Sequence, residues 1–244
     1  MKKILLSVLA LLFVLVISAV GYLYFSLNTL VKKAVETIGP RITKTDVRLS
    51  SANISPFSGS GSLNGFVIGN PEGFGKGPAL RFGSIQVKVD KATLLKEVIA
   101  VESVIIRNPD ILLEGTLRGN NLGKLLQNIK SSSSSKSSEE KTSAKESKKF
   151  VVKEVVISGI NLRLTASALD QKVEQTIPLP EIRLQNIGSD GSGVSASELA
   201  TQILTPLLQS AVTEGVNALA KQGLRELQKN GGAQIENAIK GLFK

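Results

Sequence analysis

The chain has 244 residues, carries 30 Lys and Arg against 20 Asp and Glu, and contains no Cys, His or Trp. These absences exclude disulfides, Cys- or His-based zinc sites, thiol nucleophiles and Ser-His-Asp triads. Because the aromatic residues are eight Phe and two Tyr, the core must be aliphatic, and nucleic-acid binding through stacked bases is not expected. Carboxylates, Lys and hydroxyls are the groups left for catalysis, so a non-enzymatic role is favoured.

The N-terminal segment is strongly apolar. After Met1-Lys2-Lys3, residues 4–25 contain no charged residue. As a helix at 1.5 Å per residue they would extend about 33 Å, enough to cross a hydrocarbon core of ~30 Å. The sequence therefore predicts a transmembrane anchor over residues 1–26, with a cytoplasmic N-terminus because two lysines precede the apolar stretch. The alternative is a cleaved signal peptide, because Ala19-Val20-Gly21 offers small residues at a suitable spacing.

The pattern after the anchor changes from helix to strands. Apolar residues from Leu27 to Ile38 recur at three- and four-residue spacing, which predicts a helix, and Gly39-Pro40 predicts its end. From residue 44 to 115, short β-branched runs separated by Gly, Pro, Asn and Asp predict a succession of strands. Glycine-rich loops in this region lack the GxGxxG and GxxxxGK[ST] motifs, so we interpret them as turns.

A small internal repeat lies among these strands. Residues Val67–Glu72 match Ile105–Asp110, because each has a β-branched strand end followed by Asn-Pro and an acidic residue. Asn before Pro disfavours helix and Pro fixes φ, so both copies are predicted to end a strand and reverse the chain. A third, degenerate copy, Val155–Leu164, aligns with Val104–Leu113 at an offset of 51 residues. The repeat predicts a strand-turn-strand design.

The second half begins with a helix and a linker. A short amphipathic helix is predicted from apolar residues at helical spacing, namely Leu122, Leu125, Leu126 and Ile129. Residues 131–149 are mostly Ser, Lys and Glu. Such a segment buries too little apolar surface to offset its ordering entropy, so a disordered linker is predicted.

The remainder of the chain is predicted to return to strands and then to end in helices. The strand pattern resumes over residues 150–190. Ser195-Ala196-Ser197-Glu198 has the sequence of a capping box. The apolar spacing that follows predicts a long amphipathic helix with a kink at Pro206, followed by a shorter helix after Gly231-Gly232.

Several of these segments resemble the opening of AsmA-like proteins. The most specific part is an Asn-Pro-x-Gly-Phe motif that supplies Asn70, Pro71, Gly73 and Phe74. The similarity continues through Glu114 and Asn121-Leu122, covering roughly residues 1–130 and, more loosely, 150–187. It implies a single-pass protein of the bacterial inner membrane with its body in the periplasm, related to the repeating β-groove group of TamB-like and chorein-like proteins associated with lipid transport. The chain departs from that family in its short length, its Ser/Lys insertion and its long C-terminal helix.

The predicted fold class is α+β. It combines an N-terminal transmembrane helix, a curved and mostly antiparallel sheet that forms a groove, and a long C-terminal amphipathic helix. Five regions are predicted: the anchor at 1–26, the AsmA-like region at 27–130, the linker at 131–149, the continuing sheet at 150–190 and the C-terminal helices at 191–244.

The resemblance and the apolar strands together predict a non-enzymatic envelope protein that binds or transports lipid, or maintains the outer membrane, through its groove. Membrane phospholipids are the predicted partners, other envelope proteins are further candidates, and no cofactor, metal or nucleic acid is expected. Side-chain alternation predicts that eight residues line the groove: Val87, Val89, Val104, Ile106, Val155, Ile157, Leu162 and Leu164.

Two alternatives stay open from the sequence. The first is a structural or assembly factor of the envelope, in which the C-terminal helix fills the groove and the exposed faces contact protein partners. The second is an enzyme that uses Glu102 and Glu114 as a carboxylate pair, although both residues fit equally well as solvated strand positions.

Overall fold

A computed structural model describes residues 26–116, 119–134, 148–168 and 171–230. The helices are α1 at residues 26–43, α2 at Asn121–Ser134 and α3 at Ala196–Asn230. The strands are β1 Val47–Ser55, β2 Ser60–Gly69, β3 Pro78–Val89, β4 Val98–Arg107, β5 Asp110–Thr116, β6 Gly119–Asn120, β7 Lys149–Ser158, β8 Ile160–Ala168, β9 Gln171–Leu179 and β10 Ile182–Ile187. The fold is α+β, with a mixed open sheet and a C-terminal helix.

The predicted membrane anchor is not part of the described structure except for its last residue, because residues 1–25 lie outside it. Among the helices that the structure does describe, none combines the length and the hydropathy needed to cross a bilayer.

The sheet has six strand positions because several strands continue one another. β4 and β5 pair with one edge of β3 in a single register, in which Ser84 faces Arg107 and Arg81 faces Asp110. β7 and β8 likewise continue each other beside β4 and β5, as do β9 and β10 at the next position. The order across the sheet is therefore β1, β2, β3, β4/β5, β7/β8 and β9/β10. The β4/β5 and β7/β8 positions run parallel, and the other neighbours are antiparallel.

The internal repeat corresponds to a pairing within this sheet. β4 lies parallel to β7 and β5 parallel to β8, so that Val104 pairs with Val155 and Ile111 with Leu162. These pairs have the same offset as the sequence alignment, which is thus confirmed as a spatial relation. The prediction that Asn108-Pro109 reverses the chain is wrong, because β5 continues β4 in the same direction along β3.

A row of unusual backbone crosses the sheet at one level. The row consists of Gly65, Gly83, Asn108 and Gly159, which the flanking pairs place side by side, and we call it the break row. Gly65, Asn108 and Gly159 have φ angles of 62°, 49° and 66°. This left-handed conformation is free of steric cost for Gly and is tolerated by Asn. One residue outside the extended conformation shifts the alternation of side chains by one position.

The shift keeps one face of the sheet apolar on both sides of the break row. In β4 the buried residues Val104 and Ile106 have even numbers, whereas in β5 Ile111 and Leu113 have odd numbers. Without the shift, one of the two sets would point to solvent. We call the end of the sheet where β3 ends and β4 begins the upper end, and the end with the β2–β3 loop the lower end.

Helix α1 runs along the outer edge of β1. Asn28 Oδ1 accepts a hydrogen bond of 2.8 Å from the Ile54 backbone N–H, and Glu36 Oε1 accepts one of 3.1 Å from the Leu49 N–H. These side chains satisfy backbone donors of an edge strand that would otherwise be open to pairing with another chain. Since residue 28 lies beside Ile54, α1 begins at the upper end of the sheet.

The opposite edge of the sheet is formed by β9 and β10. Pro178 lies in β9, and Pro180 lies between β9 and β10. Proline has no N–H to donate to a neighbouring strand, which confines it to sheet edges. The two prolines therefore remove two potential donors from the middle of this edge.

The end of α1 differs from the prediction. The helix continues through Gly39-Pro40 to residue 43, so the predicted stop is wrong. A Cβ on Gly39 would lie 2.6 Å from Val47 Cγ1. Gly39 thus allows the helix to pack closely against β1.

The segment between α2 and β7 is shorter at both ends than the linker predicted at residues 131–149. Residues 131–134 belong to α2, where Ser132 Oγ donates to the Ile42 carbonyl oxygen over 3.1 Å. Lys149 begins β7. The remainder, residues 135–147, lies outside the described residues.

The start of α3 is confirmed as a capping box. The Ser195 N–H donates to Glu198 Oε2 over 2.8 Å, and the Glu198 N–H donates to Ser195 Oγ over 3.2 Å. Pro206 lies inside the helix, which continues past it to Asn230. The shorter helix predicted after Gly231-Gly232 lies outside the described residues.

The break row yields a stability prediction. Gly159→Ala should lower the free energy of unfolding by roughly 2 kcal/mol or more, because an L-residue in the left-handed conformation costs about 1–2 kcal/mol. In addition, the new Cβ would lie 2.4 Å from Asn108 Oδ1. Urea unfolding of the detergent-solubilised chain, followed by circular dichroism, measures the change.

The matched control is Gly77→Ala, since no atom lies within 4 Å of a Cβ built there. It should change the free energy of unfolding by less than ~1 kcal/mol. Equal unfolding midpoints for the two variants would contradict the role given to the break row.

Candidate functional site

The eight groove candidates lie together on the apolar face of the sheet. Val87, Val104 and Val155 are neighbours across three strand positions above the break row. Leu162 and Leu164 lie below it on β8. Six of the eight belong to the buried core, and Val87 and Val89 pack against that core.

The exposure of the apolar face changes systematically along β3. Leu80 is 0% exposed, Phe82 5% and Ile85 8%. Val87 and Val89, nearer the upper end, are only partly buried. Along β3 the apolar face is therefore closed towards the lower end and opens towards the upper end. On the neighbouring strands the upper positions stay buried, with Val104 7%, Val152 0% and Val155 0% exposed.

Helices α2 and α3 cover the apolar face below the break row, and α3 also covers it above the break row on β7 and β10. They contact each other and β5, and α3 also contacts β7, β8, β9 and β10. Their buried side chains share one core with the sheet and are Leu122, Leu125, Ile129, Leu204, Leu207, Leu208, Ala211 and Leu219. As a result Leu162 and Leu164 are 0% and 1% exposed.

The fit of α3 on the sheet varies along the helix. At Gly215 a Cβ would lie 2.2 Å from Leu113 Cδ2, so the helix backbone rests directly on the sheet there. Nearer the start, the buried Thr205 hydroxyl has no hydrogen-bond partner among the described residues. The adjacent Pro206 removes one helical hydrogen bond. The first turns of α3 thus contain a buried hydroxyl without a hydrogen-bond partner and lack one helical hydrogen bond.

The other face of the sheet is polar. It carries an open cleft of about 590 Å³ whose lining is mostly polar, with Asn53, Ser62, Gln86 and Lys88, but also includes Val87 and Ile105. Below the break row, Arg163 Nε donates to Asp110 Oδ1 over 2.7 Å, and this hydrogen bond raises the pKa of the guanidinium above its ordinary value. This face has the character of a solvated surface.

The family-like turn forms the loop at the lower end. Asn70-Pro71 follows the last residue of β2 and reverses the chain into β3, as predicted. Asn70 Nδ2 donates to the Gly75 carbonyl oxygen over 3.0 Å and to Glu114 Oε2 over 3.1 Å. The Gly75 N–H donates to both oxygens of Glu114, each over 3.0 Å. Glu114 is therefore an acceptor that fixes this loop.

A buried asparagine connects the loop to the core. Asn121 is 0% exposed, and its Nδ2 donates to Asn70 Oδ1 over 2.7 Å and to the Leu112 carbonyl oxygen over 2.8 Å. Its Oδ1 accepts from the backbone N–H groups of Glu114 and Leu122, both over 2.8 Å. Sequence reasoning gave Asn121 no role, although the resemblance included it together with Asn70 and Glu114.

Glu102 and Glu114 do not form a pair. Glu102 lies on β4 with Oε2 3.9 Å from Lys88 Nζ in an exposed ion pair, whereas Glu114 lies on β5 in the lower loop network. At ~3.3 Å per residue their positions along β4/β5 are about 40 Å apart, far beyond the ~5–9.5 Å between paired catalytic carboxylates. Within the described ranges, no cluster of acidic side chains could hold a metal ion.

The lower loop network yields a second prediction. Asn121→Asp should lower the free energy of unfolding by roughly 2–4 kcal/mol, because two buried donors are replaced by an oxygen that faces two acceptors. Gln127→Glu makes the same amide-to-acid change at an exposed position of α2 and should have an effect below ~0.5 kcal/mol. Thermal unfolding of both variants measures the difference, and a mild effect of Asn121→Asp would show that the network is not a structural requirement.

The resemblance to AsmA-like proteins depends on the motif residues themselves. Among them, Asn70, Glu114 and Asn121 make the contacts described above. Comparisons of the chain with protein-family models, curated proteins and solved structures found no match.

Proposed function

We propose that this protein is a non-enzymatic, membrane-anchored protein of the bacterial envelope that binds lipid on its apolar sheet face at the upper end of β3. The observation that carries the proposal is the rise in exposure along β3, from the fully buried Leu80 to the half-buried Val87 and Val89. These two valines give an acyl chain an apolar surface that is not fully covered by protein. Each methylene that moves from water onto such a surface contributes about 0.8 kcal/mol.

The position of α1 supports a membrane location for this opening. The uncharged residues 4–25 directly precede α1, which begins at the upper end beside Ile54. An anchor formed by that segment would place the open part of the apolar face next to the bilayer. The resemblance to AsmA-like proteins supports a single pass through the inner membrane, with the body in the periplasm.

In this proposal α2 and α3 cover the apolar face except at the upper end of β3. A lipid would extend from the open region around Val87 and Val89 towards the first turns of α3, where Thr205 and Pro206 leave hydrogen bonds unmade. Displacement of these turns would lengthen the surface available to the acyl chain.

One observation favours a second function. At Gly215 the backbone of α3 rests on Leu113, and the helices bury the lower groove candidates completely. If the helices never leave, the sheet and helices act as one rigid body, as expected for a structural or assembly factor that binds envelope proteins. The two functions differ in what contacts Val87 and Val89.

Site-specific photocrosslinking in living cells separates the two functions. A photoreactive amino acid is placed in the full chain at position 87 or 89 on the apolar face. Positions 86 and 88 serve as matched controls, because Gln86 and Lys88 are exposed neighbours on the same strand. We expect phospholipid adducts at 87 and 89 at least tenfold above those at 86 and 88, because alternate residues of a strand point to opposite faces.

Defined protein adducts at positions 87 and 89, with no phospholipid above the controls, would favour the assembly factor and contradict lipid binding. Equal lipid labelling at all four positions would also contradict the proposal, because it would reflect general proximity to the membrane.

A further inference from the structure

Three large hydrophobic side chains are strongly exposed in the described part of the chain, and all three lie near the upper end of the sheet. Leu95 is 96% exposed, Phe57 72% and Leu30 61%. Phe57 lies in the β1–β2 turn, Leu95 in the β3–β4 loop and Leu30 near the start of α1. Large exposed hydrophobic residues gathered in one region mark a surface that meets a membrane or a partner.

Backbone contacts hold the turn and the loop together. The Val89 N–H donates to the Gly59 carbonyl oxygen over 2.7 Å, which joins the turn that carries Phe57 to the end of β3. The chain then passes through a 3₁₀ turn at Lys91–Thr93 into the loop that carries Leu95. Phe57 and Leu95 are therefore carried by adjoining segments at one end of the sheet.

The loop that exposes Leu95 is well ordered by hydrogen bonds. Asp90 Oδ1 accepts from the Ala92 N–H over 2.9 Å. Thr93 Oγ1 donates to the Asp90 carbonyl oxygen over 2.7 Å and accepts from the Ala100 N–H over 2.9 Å. The loop presents Leu95 to solvent from a fixed frame, so its exposure is a property of the folded structure.

The charge around these residues suits a phospholipid surface. Lys91, Lys96, Lys148 and Lys149 lie at the upper end together with Asp90, Glu97 and Asp190. The exposed ion pair of Lys88 and Glu102 lies close to them. The Lys148 Nζ donates to the Lys96 carbonyl oxygen, which holds it beside the Leu95 loop. Lysines that flank exposed apolar residues are typical of segments at the headgroup level.

We propose that the upper end docks on the phospholipid bilayer, with Phe57 and Leu95 inserted at the boundary between headgroups and acyl chains. The inference rests on the membrane location proposed above and adds a second contact with the bilayer. An anchor formed by residues 4–25 would leave the membrane where α1 begins, at this end of the sheet. Docking would also set the open part of the apolar face, at Val87 and Val89, directly above the lipid.

Single tryptophans test the docking, because the chain contains no Trp of its own. The full chain is prepared as F57W, as L95W and, for comparison, as F74W, which makes the same Phe-to-Trp change at the lower end. Each variant is reconstituted into vesicles of phosphatidylethanolamine and phosphatidylglycerol, with and without brominated acyl chains. We expect bromine to reduce the fluorescence of F57W and L95W at least twofold and to leave F74W within about a tenth of its unbrominated value.

Flotation of the same vesicles distinguishes a failure of the docking proposal from a failure of the proposed membrane location. If the chain floats with the vesicles but F57W and L95W are quenched no more than F74W, docking is overturned and the membrane location stands. Shielding of both tryptophans from aqueous acrylamide without bromine quenching also overturns docking, because protein then covers them. A chain that does not float overturns both the docking and the proposed function.

Discussion

Side chains of a β-strand alternate between two faces, and this alternation is the constraint on which the rest of the structure depends. The composite strands β4/β5 and β7/β8 are long, and the parity of the buried positions changes partway along each of them. It changes from even to odd in β4/β5 and from odd to even in β7/β8. Asn108 and Gly159 accommodate this change through a left-handed backbone. Since neighbouring strands make the change at the same level, their pairing is preserved and a single apolar face can receive α2 and α3.

Much of the fold could be predicted from local sequence signals. The Ser195–Glu198 capping box, the strand patterns and the repeat offset are all expressed in residues that are close in sequence or self-similar. The course of the chain at Asn108-Pro109 was harder to predict, because the same dipeptide ends a strand at Asn70-Pro71. The difference lies in the neighbours: β3 and Gly159 flank Asn108 and continue the sheet past it, which no local pattern reveals.

The candidate site was predictable to a lesser degree. Alternation placed the groove candidates on one face, but it carries no information on how far α2 and α3 cover that face. Asn121 shows more clearly what the sequence does not reveal. Its four hydrogen bonds join the β2–β3 loop, β5 and the start of α2. Its burial is therefore a consequence of tertiary structure, and the composition around it is that of an ordinary helix start.

Both edges of the sheet have features that oppose pairing with another chain. On one side α1 occupies the backbone donors of β1, and on the other Pro178 and Pro180 interrupt the donor row. Pairing of a second copy along β1 would have to displace α1, and pairing along β9 and β10 would lack the donors that the two prolines remove. If the protein binds lipid as proposed, a longer apolar surface would have to be built through contacts other than pairing at β1, where the Leu49 and Ile54 N–H groups already donate to α1.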